Sequence, residues 1–395
     1  MPLLFLLLFL QEIARVYLVM PFPGSQELDL VQLAYGLDRY AVVIRLVLLG
    51  SIGALIWYRM RTQQKVRKIW LGVFLALYAL MYFGISTQMT AESMFREPIV
   101  KRFRVAELDS AQAEKIVMGI VINGEAAAYP IQFLGYHHQV RDTVGGRPVL
   151  VTYCTVCRTG RVYSLLVDGK TEVFRLVGMD HFNAMFEDAT TKSWWRQATG
   201  ECIAGPLQGK TLETIPSQQM SLAAWMSEHP NSKVMQPDPN FAEQYGYLTN
   251  YESGRSKGDL TRRDSASWQR KSWVIGVIID DDTKRTYDWN DLVRKRIITD
   301  DVDGRPIVLT IEPDNKSFHA FRAYFGNRKS MERLRFTLRD STTMTDSGTG
   351  SVWTLTGFCI EGALKGIKLY RAQAYQEYLH SWEQFHPTSR RFMEN

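Results

Sequence analysis

Two unbroken apolar runs dominate the early chain, "AVVIRLVLLGSIGALIW" at residues 41–57 and "IWLGVFLALYALMYFGI" at residues 69–85. Each is about long enough to cross the ~30 Å hydrocarbon layer of a bilayer, and the short stretch between them predicts a helical hairpin. The opening "MPLLFLLLFLQEIARVYLVM" is apolar at first but carries Glu12 and Arg15 in its second half. It reads as a third span whose charges face the other helices, as intramembrane charges normally do. The competing reading is two spans plus an interfacial helix. A cleaved secretion signal fits less well, for want of a cationic start and a small-residue cleavage site.

From residue 96 the pattern changes. "RPVLVTY", "GRVYSLLV", "TEVFRLV" and "IVLTI" are short β-branched and aromatic runs that predict strands, and "VDGKTE" carries the glycine of a hairpin turn. "SLAAWMSEH" predicts a short helix capped by Ser221 and stopped by Pro230; "YQEYLHSWEQFH" predicts another, stopped by Pro387.

The pattern also repeats. "VMGIVINGEAAAYP" from Val117 matches "VIGVIIDDDTKRTYD" from Val274, and "WMSEHP" from Trp225 matches "WEQFHP" from Trp382, both displaced by 157 residues. Between them "VGGRPVLVTY" pairs with "VDGRPIVLTI", and "TKSWWRQATGECIAGPLQGKTL" with "TGSVWTLTGFCIEGALKGIKL". Matches in one order at nearly one displacement mark a duplication. The expected fold class is therefore N-terminal transmembrane α-helices followed by a β-rich α+β region made of two tandem repeats of one unit. Its parts are residues 1–90 (membrane helices, about three spans), 96–236 (first repeat), 237–272 (a polar, turn-rich linking segment) and 273–395 (second repeat).

Composition adds little beyond a folded protein: 395 residues with 46% hydrophobic and 22% charged suit two or three domains with buried cores. Charge changes the picture more. The net +6 suggests nucleic acid only if the basic residues share one folded surface, and they do not. The densest cluster, Arg59, Arg61, Lys65, Arg67 and Lys68, lies in the hairpin connection and places it on the cytoplasmic side. Everything after residue 88 is then expected to be extracytoplasmic (periplasmic), anchored in the cytoplasmic membrane. The expected partners are the lipid bilayer and an envelope protein or redox partner, with no nucleic acid. There is no P-loop, GxGxxG, HExxH or GxSxG, so nucleotide-dependent and familiar hydrolytic chemistry has no support.

The run from "VMGIVINGEAAAYPI" through "HHQVRDTVGGRPVLVTYCTVCRTGRVY", "DATTKSWWRQATGECIAGPLQGKTL" and the Trp225 to Pro230 segment resembles the DUF3179 family, bacterial and archaeal proteins of undefined function. The resemblance covers nearly all of the soluble region. The family pattern would place an acidic residue and an asparagine where this chain has Gln139 and Arg141. It implies boundaries and fold, and no reaction.

Candidate chemistry comes from comparing the copies. The single CxxC, Cys154 and Cys157, faces Glu312 and Asn315; Arg158 faces Lys316 and His138 faces Arg296, so sulfur and imidazole belong to copy one alone. By contrast Cys202 and Cys359 recur, as do Trp195 and Trp353, Trp225 and Trp382, His229 and His386, and Asp142 and Asp300, which marks them as structural. Asp188, Thr190 and Ser193 answer Asp346, Thr349 and Ser351 and read as hydrogen-bonded turns.

Three roles compete for the CxxC. Thiol–disulfide exchange needs an attacking and a resolving sulfur near positive charge, with Arg158 as the expected cation, although no helix follows to lend its dipole. A metal site would use both sulfurs and His138, with His137 or His181 as substitutes, a soft set suited to copper or zinc. A structural role is the third, though a bridge over two residues closes too small a loop to stabilise much. The expected activity is a thiol–disulfide or metal-dependent oxidoreductase; the alternative is a non-catalytic envelope module binding protein, glycan or lipid through the surface between the copies.

Overall fold

A computed structural model describes residues 1–64, 67–105, 110–280, 282–327 and 330–393. Lys65, one of the basic residues of the hairpin connection, lies outside them. The chain divides into two compact units, residues 1–96 with 166–212, and residues 97–165 with 213–395.

In the first unit two helices, Ala41–Arg61 and Lys68–Gln88, are long and apolar enough to cross a membrane among the described residues. Helix Pro2–Tyr17 is shorter, its 16 residues rising about 24 Å, and its last turns carry the charges. Those charges do face the other helices. Glu12 is fully buried and accepts from Arg45, from Arg15 Nη1 at 3.1 Å and from the Tyr78 hydroxyl at 3.1 Å. Phe5 and Leu8 pack with Ile52 and Tyr78 to form the apolar seam of this bundle.

The same unit holds a four-stranded antiparallel sheet, in the order Cys202–Ala204, Trp194–Arg196, Asn183–Asp188, Phe174–Asp180. Residues 18–40 stitch it to the bundle: Val19 accepts from Met179 N at 2.7 Å, and Gln32 donates to the Ile203 carbonyl at 2.6 Å. The "VDGKTE" turn forms as expected, with Asp168 and Gly169 both at positive φ between Leu166–Val167 and Lys170–Thr171.

The second unit is built from sheets of matching order. Strands Lys233–Met235, Glu125–Pro130, Ile116–Ile122 and Gln218–Ser221 lie side by side, and so do Arg390–Arg391, Lys284–Asp288, Trp273–Ile278 and Gln373–Tyr378. Each set includes one parallel pair. Each is followed by a seven-residue helix, Ile131–His137 or Trp289–Lys295, ending on a left-handed residue, His138 (φ 60°) or Arg296 (φ 67°). A three-stranded meander comes next: Gln139–Val144, Arg147–Cys154, Thr159–Ser164, and Ile297–Val302, Arg305–Ile311, Phe318–Arg322. Tyr129 donates to Asp142 at 2.7 Å, and Tyr287 to Asp300 at 2.9 Å.

Helix Leu222–Glu228 begins as expected, with Ser221 Oγ accepting from Ala224 N at 3.2 Å. The other expected helix is shorter. Gln373–Tyr378 is a strand paired along Trp273–Ile278, and only Leu379–Phe385 is helical. Each of these helices lays a tryptophan on a glycine, Trp225 on Gly119 and Trp382 on Gly276, and each tryptophan packs at a tilt against a histidine, with ring centroids 4.2 Å (His229) or 4.1 Å (His386) apart. The "linking" residues 237–272 are packed rather than loose: they hold helix Ala242–Tyr247 and the fully buried Tyr251.

Candidate functional site

Strand Arg147–Cys154 turns directly into strand Thr159–Ser164, with Cys154 and Thr159 paired across the turn. The CxxC is therefore a hairpin tip, closed by Arg158 at φ 56°. No helix follows it, so helix-dipole activation is absent, as the turn-and-strand pattern predicts.

Both cysteines are fully buried, and no disulfide joins them. The Cys157 thiol shares side-chain hydrogen bonds with Cys154 and Ser381, and burial pushes it well above the usual thiol range, with the neighbouring Cys154 and the Glu377 charge acting in the same direction. Burial therefore favours the neutral form of the Cys157 thiol.

Polar groups from residues 271–381 surround the tip. Tyr378 N donates to the Cys157 carbonyl at 3.0 Å. Thr159 Oγ1 meets Glu377 Oε2 and Ser381 Oγ, each at 3.1 Å. Lys271 Nζ donates to the Val156 carbonyl at 2.9 Å and to the Leu260 carbonyl, and lies over the Tyr378 ring. Burial lowers Lys271 to about 8, opposed by the charges that Cys157 and Cys154 can carry. His380 Nε2 is 3.3 Å from the same Val156 carbonyl, and burial together with Lys271 and Arg270 lowers it to about 3.

The Arg158 guanidinium lies over the Trp273 ring at 3.9 Å and donates to Gln376 Oε1 at 2.8 Å, so it fastens the hairpin to the strand beside it. Lys271 is a second buried cation at the tip, coupled electrostatically to both thiols. Buried Arg161 pairs with buried Glu377 under the Tyr375 ring.

The expected metal ligands are not gathered. Among the described residues no three His, Cys, Asp or Glu side chains stand where they could hold a metal ion. His138 is buried, lowered to about 4 by desolvation, with Nδ1 3.1 Å from the Tyr136 carbonyl; its backbone position as a helix cap dictates that orientation. His137 meets the Tyr245 hydroxyl at 2.6 Å, and His181 meets Asp180 at 2.7 Å. Nothing in the donor set supports copper or zinc.

A model of the family described as "Protein of unknown function (DUF3179)" matches residues 97–389. The chain belongs to the DUF3179 family. No curated protein and no solved structure matches it. The match spans both CxxC-bearing and CxxC-lacking segments of this DUF3179 protein, and assigns no chemistry to either.

At the hairpin tip corresponding to the CxxC, Glu312 bonds His319 at 2.8 Å, His319 meets Arg371 at 2.9 Å, and Arg371 grips Glu228 through two contacts of 2.7 and 2.9 Å. His319 and Arg371 line a cavity of about 240 Å³ with Ser217 and Gln218, whose Oγ and Oε1 atoms are buried without partners. Sequence reasoning missed this chain of charges. It also placed Thr190 in the Asp188 turn, where Thr191 makes the contact at 2.8 Å; its counterpart, Thr349 to Asp346, is also 2.8 Å. The recurring cysteines are buried packing residues, Cys202 bonding the Ala204 carbonyl and Cys359 the Glu361 carbonyl.

Proposed function

We propose that this DUF3179 protein is a membrane-anchored extracytoplasmic module, built from two copies of one unit, in which Cys154 and Cys157 form a redox pair. One observation carries the reading. At the displacement of 157 residues, Lys271, Glu377, His380 and Ser381 answer Glu114, Met220, Ala223 and Ala224. These four departures of copy two converge on Cys154 and Cys157, themselves departures of copy one. Packing alone gives no reason for both copies to diverge around one point. The matching strand orders, left-handed helix caps and glycine–tryptophan contacts support the duplication.

The reaction proposed is exchange with a disulfide of a partner protein. One thiolate attacks, forming a mixed disulfide and releasing one partner thiolate; the second sulfur attacks the mixed bond, giving the Cys154–Cys157 disulfide and the second partner thiol. Two electrons pass to the partner and two protons leave the pair. Lys271 favours the thiolate electrostatically.

The test is to equilibrate the full-length protein in mild detergent with glutathione buffers of graded potential, alkylate, and weigh the Cys154 peptide. The expected result is reversible, joint loss of both alkylation sites. Thiols that stay reduced in fully oxidised glutathione and in diamide sink the redox reading. Complete burial of both sulfurs and the raised Cys157 thiol favour a second reading, a binding or scaffold module with structural cysteines, which that result would leave standing.

A further inference from the structure

The first unit contains a cavity of about 270 Å³ at the ends of the membrane-length helices remote from their basic connection, beneath strand Phe174–Asp180. Its charged lining is Arg15, Arg45, Arg175 and Asp38; Val19 and Ile85 belong to its apolar lining. Arg45 is fixed by Glu12, and Arg175 by Glu187 at 2.9 Å. Arg15 reaches Glu12 at 3.1 Å and Asp38 at 2.9 Å, yet its Nε is buried without a partner. A buried N–H left unpaired in a native protein calls for an acceptor, and a guanidinium has five donors, so these bonds leave others available.

We propose that this cavity binds the phosphate of a membrane phospholipid headgroup. Arginine forks match phosphate oxygens in geometry and charge. The apolar lining at the ends of bilayer-length helices suits the first methylenes of a lipid's acyl chains, where a free anion would find no complement. This inference rests on the membrane-anchor reading above; the CxxC plays no part in it.

Native mass spectrometry of the full-length protein in mild detergent tests it. Phosphatidylglycerol is expected to bind one-to-one, and diacylglycerol of the same chains at least about tenfold more weakly. Arg15→Gln is expected to weaken phosphatidylglycerol binding by about tenfold or more. Ser86→Trp, an exposed position on the cavity lining that spares the buried ion pairs, is expected to do the same. Equal binding of diacylglycerol, or two variants that bind like the parent, would overturn the site. Displacement by millimolar inorganic phosphate would overturn the lipid as its source. Retention in carbonate-washed membranes reads the anchor separately: a protein that stays in the membrane but carries no lipid refutes the cavity alone.

Discussion

Lys271 holds the carbonyl of Val156, one of the two residues between the cysteines of the hairpin tip, at 2.9 Å. A buried ammonium fixed there lowers the cost of forming a thiolate nearby, since opposite charge favours the ionised form. Lys271→Met is therefore expected to move the pH midpoint of Cys154 and Cys157 alkylation upward, and to slow labelling at about pH 8 by about tenfold. The full pH profile separates this from access. A merely looser hairpin would raise the plateau rate and leave the midpoint in place, and that outcome would remove Lys271 from the electrostatics of the site.

Glu377 anchors the other side of the tip. It is 1% exposed, pairs with the equally buried Arg161, and accepts from Thr159 at 3.1 Å and Ser381 at 3.0 Å. Glu377→Gln leaves the Arg161 charge uncompensated in a low-dielectric setting, and breaking such a pair costs about 3–5 kcal/mol. Urea unfolding of the full-length protein is expected to show that loss. Arg161→Met combined with Glu377→Met is expected to recover most of it, because removing both charges also removes the desolvation penalty. A double variant as unstable as Glu377→Gln would contradict this account.

The parts legible in the sequence were those set by local chemistry. Ser221 caps a helix wherever it precedes one, Asp168–Gly169 forms a tight hairpin turn, and the residues flanking the CxxC form turn and strand. Local pattern failed where tertiary pairing decides. "YQEY" has helical company in sequence, but Gln376 and Glu377 are buried along Trp273–Ile278, and that pairing overrides propensity. Lys271 was invisible because it ends a polar stretch that looks like a linker, although its mismatch with Glu114 at the displacement of 157 was a usable signal. The partners of Arg158 were equally hidden: its positive φ and the distant Trp273 ring fix where the guanidinium lies, and neither shows in the residues next to it.

The two glycine–tryptophan contacts offer a paired test of how helix packs on sheet in the second unit. A Cβ on Gly119 would stand 2.3 Å from Trp225 Cζ3, and one on Gly276 2.2 Å from Trp382 Cε3, distances that real side chains do not tolerate. Both indoles are pinned, Trp225 Nε1 to Ser232 Oγ at 2.7 Å and Trp382 Nε1 to Ser389 Oγ at 2.8 Å, so neither ring can slide away without losing a buried hydrogen bond. Gly119→Ala and Gly276→Ala are each expected to destabilise by about 1–3 kcal/mol through overpacking. Near-neutral behaviour of either alanine in thermal melts would show that the indole yields, and that this contact does not set the sheet-to-helix spacing.

Acid should unfold this protein through its histidines. Burial lowers His138 to about 4; it lowers His386 to about 3, helped by Arg161 and Lys284; and His380 also lies at about 3. All three are neutral when folded, whereas an unfolded histidine takes up a proton near pH 6.5. Above that pH neither state is protonated and the linkage is silent. As pH falls through 6.5 toward 4 the unfolded chain binds more protons than the folded one, so stability drops, by about 1.4 kcal/mol per pH unit for each histidine. Carboxylates titrate at the lower end of the same range, so the histidine share must be isolated. His386→Asn keeps a polar side chain beside Trp382 but cannot titrate, and is expected to flatten the fall in unfolding free energy between about pH 6 and 4.5 by that single-site slope. A variant with the parent's pH slope would show that His386 is protonated in the folded protein, contrary to its burial.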